Sequence, residues 1–214
     1  MAVNSKKNEL LRKVIHILFS SVLLAPMMVM DLVDPKLVYA VALAVGGWIY
    51  SVQVKGPPQW LKAGMQIPQP KGVEIVLDSF NRLVNLVERD YERRAGWLGA
   101  LSGLIGVSSS YFLFGSLASY GIFALITTDG LSSIVGISIG RIKIPMADGT
   151  VEGTAAGLIS YLILLQCLIG DPYLAALIAV SSSVAELYGG EDNIAVPLVS
   201  TLVAFLSGAP PLIG

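Results

Sequence analysis

Seven stretches of this chain run apolar for close to the length needed to cross a bilayer, and that repetition decides its solvent. A spanning helix needs roughly 20 mostly apolar residues. Such stretches lie at about 13–30, 37–54, 95–114, 116–136, 154–170, 172–188 and 194–212 of the 214 residues. Composition agrees: 54% of residues are hydrophobic and 14% charged, where a soluble domain carries about a quarter charged. The expectation is an all-α, polytopic transmembrane bundle of about seven spans, forming one integral-membrane domain over 1–214. Six or eight spans remain open, because the last two runs are barely separated. No small-residue cleavage site follows the first apolar stretch, so no cleaved signal peptide is expected. The single cysteine, Cys167, excludes an internal disulfide and a cysteine metal cage.

Between the second and third runs lies the one long polar segment, 55–94. Pro57, Pro58, Pro68 and Pro70 forbid a regular helix in its first part. In its second part Val76, Phe80, Leu83, Val84, Val87 and Tyr91 recur at helical spacing, opposite Asp78, Arg82, Asn85, Arg89 and Glu92. That pattern fits an amphipathic helix over about 73–94, lying along the cytoplasmic interface or packed on the bundle. With the N-terminus in the cytoplasm, every one of the 14 lysines and arginines except Lys36 falls inside, as the positive-inside rule requires.

This orientation gathers the unusual polar residues on one face. Asp129, Glu152, Glu186, Asp192 and Asn193 lie at or near the cytoplasmic ends of runs, with Arg12, Lys13 and His16 on the first and Arg141 and Lys143 after the fourth. A charge at membrane depth costs at least about 2.5 kcal/mol, so each marks a functional candidate or a paired structural group. In "TTDGLSSIVGISIGRIKIP", Asp129, Ser132, Ser133, Gly136 and Gly140 fall three and four apart, along one narrow helix side. Small residues there leave room for a ligand or form a helix-packing seam. The carboxylate at one end and Arg141 and Lys143 at the other favour the ligand. Carboxylate oxygens suit magnesium, which is held by one or two acids plus substrate phosphates, and the basic pair suits the phosphates. The spacing of a P-loop is absent.

Four motifs, "NELLRKVIHI", "DGLSSIVGISIGRIKIP", "TVEGTAAG" and "AELYGGEDNIAVPL", occur in an order that resembles the polyprenol kinase family. That family includes dolichol and phytol kinases, is similar to CTP-dependent diacylglycerol kinases, and more distantly resembles phosphatidate cytidylyltransferases. The resemblance covers nearly the whole chain and does not identify the lipid. It implies CTP-dependent phosphorylation of a long isoprenoid alcohol, with Mg2+, at the cytoplasmic membrane face. Asp129, Gly136, Gly140, Arg141 and Lys143 match the family's cytidine-nucleotide motif, and Arg12, Lys13 and His16 its "RK-x-x-H" motif. Glu152 and Gly153 match "T-x-E-G", and Glu186, Asp192 and Asn193 match "E … DN". The family often has lysine before the threonine of "T-x-E-G"; here that position is Gly149, which shifts the phosphate-holding role toward Lys143.

Phosphoryl transfer depends mostly on positioning and charge neutralisation. On this reading Asp129, Glu186, Asp192 and Asn193 are the metal ligands, and Arg141 and Lys143 neutralise developing charge. Glu152, then Asp129, is the candidate general base. His16 either acts there or anchors its helix. A cytidylyltransferase, releasing pyrophosphate rather than CDP, and a transporter with intramembrane acids are the rival classes. Acids at one edge and no repeated halves speak against transport. No nucleic-acid partner is expected, and oligomeric state is not readable. A chain this short looks prokaryotic or archaeal, which places it in the plasma membrane. If the 73–94 helix borders the alcohol's entrance, Phe80→Asp and Val87→Asp should lower activity on long-chain alcohols far more than on short soluble ones. Steady-state kinetics across graded chain lengths checks this, and equal losses at all lengths would rule it out.

Overall fold

Proline and glycine punctuate the apolar runs and set where helices begin and end. The computed structural model describes residues 2–55 and 98–213, and among these every regular element is helical. The first helix, α1 (Ala2–Val22), ends shortly before Pro26 of the short α2 (Ala25–Met28), because proline has no N–H to extend a helical ladder. Pro35 opens α3 (Pro35–Lys55). After the undescribed segment, α4 (Leu98–Phe114) leads through a 3-10 turn (Gly115–Leu117) into α5 (Ala118–Ala124). A π turn (Leu125–Leu131) and α6 (Ser132–Ile139) complete this continuous run. Three helices follow: α7 (Val151–Ile169), α8 (Pro172–Tyr188) and α9 (Asp192–Leu206). Asp171 caps α8, its carboxylate accepting from the Tyr173 and Leu174 amides with Pro172 at the first helical position. Gly170, at φ 77°, closes α7 in the left-handed conformation. The proline-rich 55–71 segment beyond Lys55 and the expected 73–94 helix lie outside the described residues.

Among the described residues four stretches are long and apolar enough to cross a membrane: Glu9–Met28, Pro35–Val52, Gly99–Ile139 and Val151–Ile169. Pro172–Tyr188 and Asp192–Leu206 are shorter apolar helices. The third stretch, at 41 residues, is about twice the length one crossing needs, and the chain folds back within it. A Cβ on Gly106 would lie 2.8 Å from the Pro197 ring, and one on Gly121 would lie 2.6 Å from the Pro197 carbonyl oxygen. A straight helix would hold those two glycines about 22 Å apart. The reversal falls at Gly115, whose φ of 62° favours glycine. Both arms, α4 and α5, thus pack on α9, which also lies against α8. On the other side, α7 lies across the π turn and α6, and α1 packs on the π turn.

In lipid every polar hydrogen needs an acceptor inside the protein. Serine supplies its own solution by donating to the carbonyl one helical turn back, as Ser181, Ser182 and Ser183 do to Leu177, Ile178 and Ala179. Tyrosines tie helices together instead. The buried Tyr161 hydroxyl on α7 donates to the Tyr120 carbonyl at 2.7 Å, which leaves its oxygen to accept from Ser200 at 2.8 Å. Tyr120 in turn donates to the Pro210 carbonyl at 2.7 Å. Because backbone of α9 faces Gly121, Gly121→Ala should overpack the α5–α9 contact and cost about 1–3 kcal/mol. Gly103→Ala is the matched control: its Cβ meets nothing within 4 Å and should be neutral or slightly stabilising. Thermal unfolding of both variants in one detergent checks the difference.

Candidate functional site

The site is organised by one buried carboxylate. Asp129 sits in the π turn, and its side chain is 2% exposed. The α1 helix reaches it because residue 130 is glycine: a Cβ there would come within 2.5 Å of Ile17. That close approach puts Lys13 and His16, three residues apart on one face of α1, over the acid. Lys13 Nζ donates to Oδ1 at 2.9 Å, and His16 Nε2 lies 2.9 Å from Oδ2. His16 also lies 3.4 Å from the Ser20 hydroxyl on the next turn. Arg12 is beside Lys13 on α1 and half-buried.

Two further acids come from other helices. The Ser132 hydroxyl, at the start of α6, is 3.1 Å from both the Asp129 carbonyl oxygen and Glu186 Oε1 on α8. Glu186 is in turn within Coulombic reach of Asp129, Asp192 and Lys13, and Asp192 of Asp129 and Lys13. At the head of α9, Asp192 accepts from the Asn193 amide at 2.8 Å, and the Asn193 side chain donates to Glu191 Oε1 at 3.3 Å. The Ser102 hydroxyl on α4 donates to that same oxygen at 2.9 Å. Two buried oxygens, Glu186 Oε2 and Asn193 Oδ1, accept no hydrogen bond. Sequence reasoning missed Glu191, and nothing in its spacing distinguishes it from a surface acid.

The remaining candidates form a separate group. Glu152, in the first turn of α7, accepts from the backbone amides of Arg141 at 3.1 Å and Ile142 at 3.2 Å. It therefore clamps the start of the loop that joins α6 to α7. Arg141 and Lys143 are exposed on that loop, and Lys143 Nζ lies 3.4 Å from the Asp148 carbonyl. Lys143 and Thr150 form an isolated β-bridge across its base.

Gly136 and Gly140 have a packing role. A Cβ on Gly136 would lie 3.0 Å from the Thr150 hydroxyl oxygen, and one on Gly140 2.5 Å from it. Gly153 and Gly157 on α7 face Ser132 and Thr128 in the same way. The small-residue stripe is thus a tight seam between α7 and the π-turn–α6 arm. It also departs from a regular helix: the π turn offsets Asp129, and Gly140 is extended at ψ 130°. Thr150, which was not singled out in the sequence, both fills this seam and caps α7 by accepting from the Gly153 amide at 3.2 Å. A threonine directly before an apolar helical run is the signal that identifies such a cap.

Chemically, three carboxylates face one lysine and one histidine, so the cluster is short of positive charge. All its unsatisfied atoms are hard oxygens, the donor type for magnesium. Among the described residues no three His, Cys, Asp or Glu side chains converge on a single metal position. A cation held by one or two of these acids, with the rest of its shell from water and phosphate, fits this donor set. Comparison of the chain with protein-family models, with curated proteins and with solved structures finds no match.

A buried ion pair that loses one partner leaves an uncompensated charge. Lys13→Met should therefore destabilise the protein by about 3–5 kcal/mol, and adding Asp129→Asn should recover part of that loss. A double-mutant cycle on unfolding in detergent measures the coupling. Additive losses would mean that the pair contributes nothing.

Proposed function

We propose that this protein is a CTP-dependent lipid-alcohol kinase of the polyprenol kinase type, acting at the cytoplasmic face of the membrane. The observation that carries this reading is the meeting of motifs distant in sequence: Lys13 and His16 end on the two carboxylate oxygens of Asp129. Glu186 and Asp192 lie within Coulombic reach of that same acid. A cluster with excess negative charge and unsatisfied oxygens suits a magnesium–nucleotide complex rather than a neutral ligand.

On this proposal one or two acids of the set Asp129, Glu186 and Asp192, with Asn193 beside them, would hold Mg2+, which would supply charge neutralisation on the phosphates. Arg12, Lys13 and His16, with Arg141 and Lys143, form the basic side of the nucleotide site. Gly136 and Gly140 contribute the close-packed wall behind it. The alcohol oxygen forms a bond to the γ-phosphorus of CTP, the bond to the β–γ bridging oxygen breaks, and CDP leaves. The alcohol's proton passes to a carboxylate. Neither sequence candidate has a free oxygen for it, since two loop amides engage Glu152 and Lys13 and His16 engage Asp129, whereas Glu186 Oε2 accepts no hydrogen bond and fits that role better.

The same reading includes seven crossings, with the N-terminus inside. The fold-back at Gly115 supports counting Gly99–Ile139 as two. Tyr173 and Tyr188 support α8 as another, since both are exposed, at its two ends, as interfacial aromatics are. The charge pattern supports the orientation.

The deciding experiment supplies purified protein with labelled CTP or ATP, Mg2+ and a panel of isoprenoid alcohols and diacylglycerol. CDP and a lipid monophosphate are expected; pyrophosphate would identify a cytidylyltransferase instead. Glu186→Gln and Asp192→Asn should each cut turnover about a hundredfold or more while membrane insertion is retained. Near-normal rates in both folded variants would refute the metal–nucleotide site.

A further inference from the structure

The loop that joins α6 to α7 shows more apolar surface than a loop in water would keep. Met146 is 97% exposed, and Ile142 and Ile139 are 61% and 63% exposed. This exposure is built in. The Val151 amide donates to the Ile142 carbonyl at 2.9 Å and the Ile144 amide to the Gly149 carbonyl at 3.2 Å, while Glu152 holds the Arg141 and Ile142 amides. Met146 stands at φ 62°, a left-handed conformation that is costly for an unbranched side chain without a local polar partner. A rigid loop that carries backbone strain to present a methionine has a use for that methionine.

Its level relative to the bilayer is fixed by its neighbours. The loop starts where one apolar run ends and finishes where the next begins. A Cβ on Gly149 would lie 2.9 Å from Leu187, the residue before the exposed Tyr188. Exposed tyrosines at helix ends mark the headgroup region. Between the apolar residues stand Arg141 and Lys143, both exposed; the loop's one acid, Asp148, lies on the return arm.

We infer that residues 139–148 form a lipid-inserting wedge. Ile142 and Met146 enter the leaflet of the protein's own membrane, and the exposed Arg141 and Lys143 stay above it at the phosphate level, where they remain open to a nucleotide. The alternation of long apolar and basic side chains matches that boundary, where apolar groups bury and cations stay at the phosphates. This inference rests on the chain being embedded in a bilayer and not on the reaction it catalyses.

The test uses full-length protein in proteoliposomes, with a fluorophore on Met146→Cys or Ile142→Cys in a Cys167→Ser background. Ile159→Cys, half-way along α7 and lipid-exposed, reports embedding independently. Lipids brominated high in the acyl chain should remove roughly half the emission at 142 and 146, as expected for groups buried roughly 5–10 Å below the surface, while aqueous iodide removes little. Quenching by iodide at both loop positions, with Ile159→Cys still quenched by lipid, overturns the wedge and leaves the embedding intact. Protection from both quenchers also overturns it, because the protein itself would then cover the loop.

Discussion

The carboxylate of Asp129 is the group on which the rest of the arrangement depends. A charge buried to this degree is tolerated only with partners in place, and its partners come from α1, more than a hundred residues earlier in the chain. Lys13 and His16 reach it only because α1 lies close on the π turn, and α1 lies close only because residue 130 has no side chain. The π turn itself is a local departure from the regular ladder, of the kind that recurs at functional sites. Local backbone, close packing and charge pairing are therefore a single condition.

Around this centre the molecule separates two tasks that the sequence seemed to combine. Small residues make contact between helices, and charged ones gather in the buried cluster. The seam formed by Gly136, Gly140, Gly153, Gly157 and Thr150 locks α7 against the arm that carries Asp129, so the acid is held by backbone-to-backbone packing that has no slack. Glu152 then fixes the loop at the end of that seam through two amides. The acids of α8 and α9 approach from the far side, through Ser132 and the head of α9. The charges thus meet at one end of a tightly packed scaffold, the kind of preorganisation that the proposed phosphoryl transfer would use.

Much of this was legible from residue order. The apolar runs announced helices, since bilayer thickness and backbone hydrogen bonding leave few alternatives. The polar residues announced their own importance by being expensive where they stand. What sequence did not disclose was which residues face each other. Lys13 and His16 could be placed on one face of α1, but their meeting with Asp129 depends on a tertiary approach set by Gly130. The stripe at Gly136 and Gly140 left both a ligand groove and a packing seam open, because the residue that fills it, Thr150, lies beyond a loop. The π turn was invisible for a related reason: it inserts one residue per turn without any composition of its own. Glu191 was lost among ordinary acids until Ser102 and Asn193 were seen to share its oxygen.

The pair between Lys13 and Asp129 spans 116 positions of sequence, and that separation has a consequence for biosynthesis. Chains grow at about 5–20 residues per second, so α1 leaves the ribosome roughly ten seconds before its counter-charge exists. During that interval the first helix stands in or near the bilayer with its lysine and histidine unmatched. Their place toward the polar end of α1, below Lys6, Lys7 and Arg12, lets those long side chains wait at the headgroups. The helix that completes the buried site is therefore made well before the turn it docks on, and is locked only after that turn exists. Any factor that guides this protein into the membrane must keep α1 within reach until the π turn arrives.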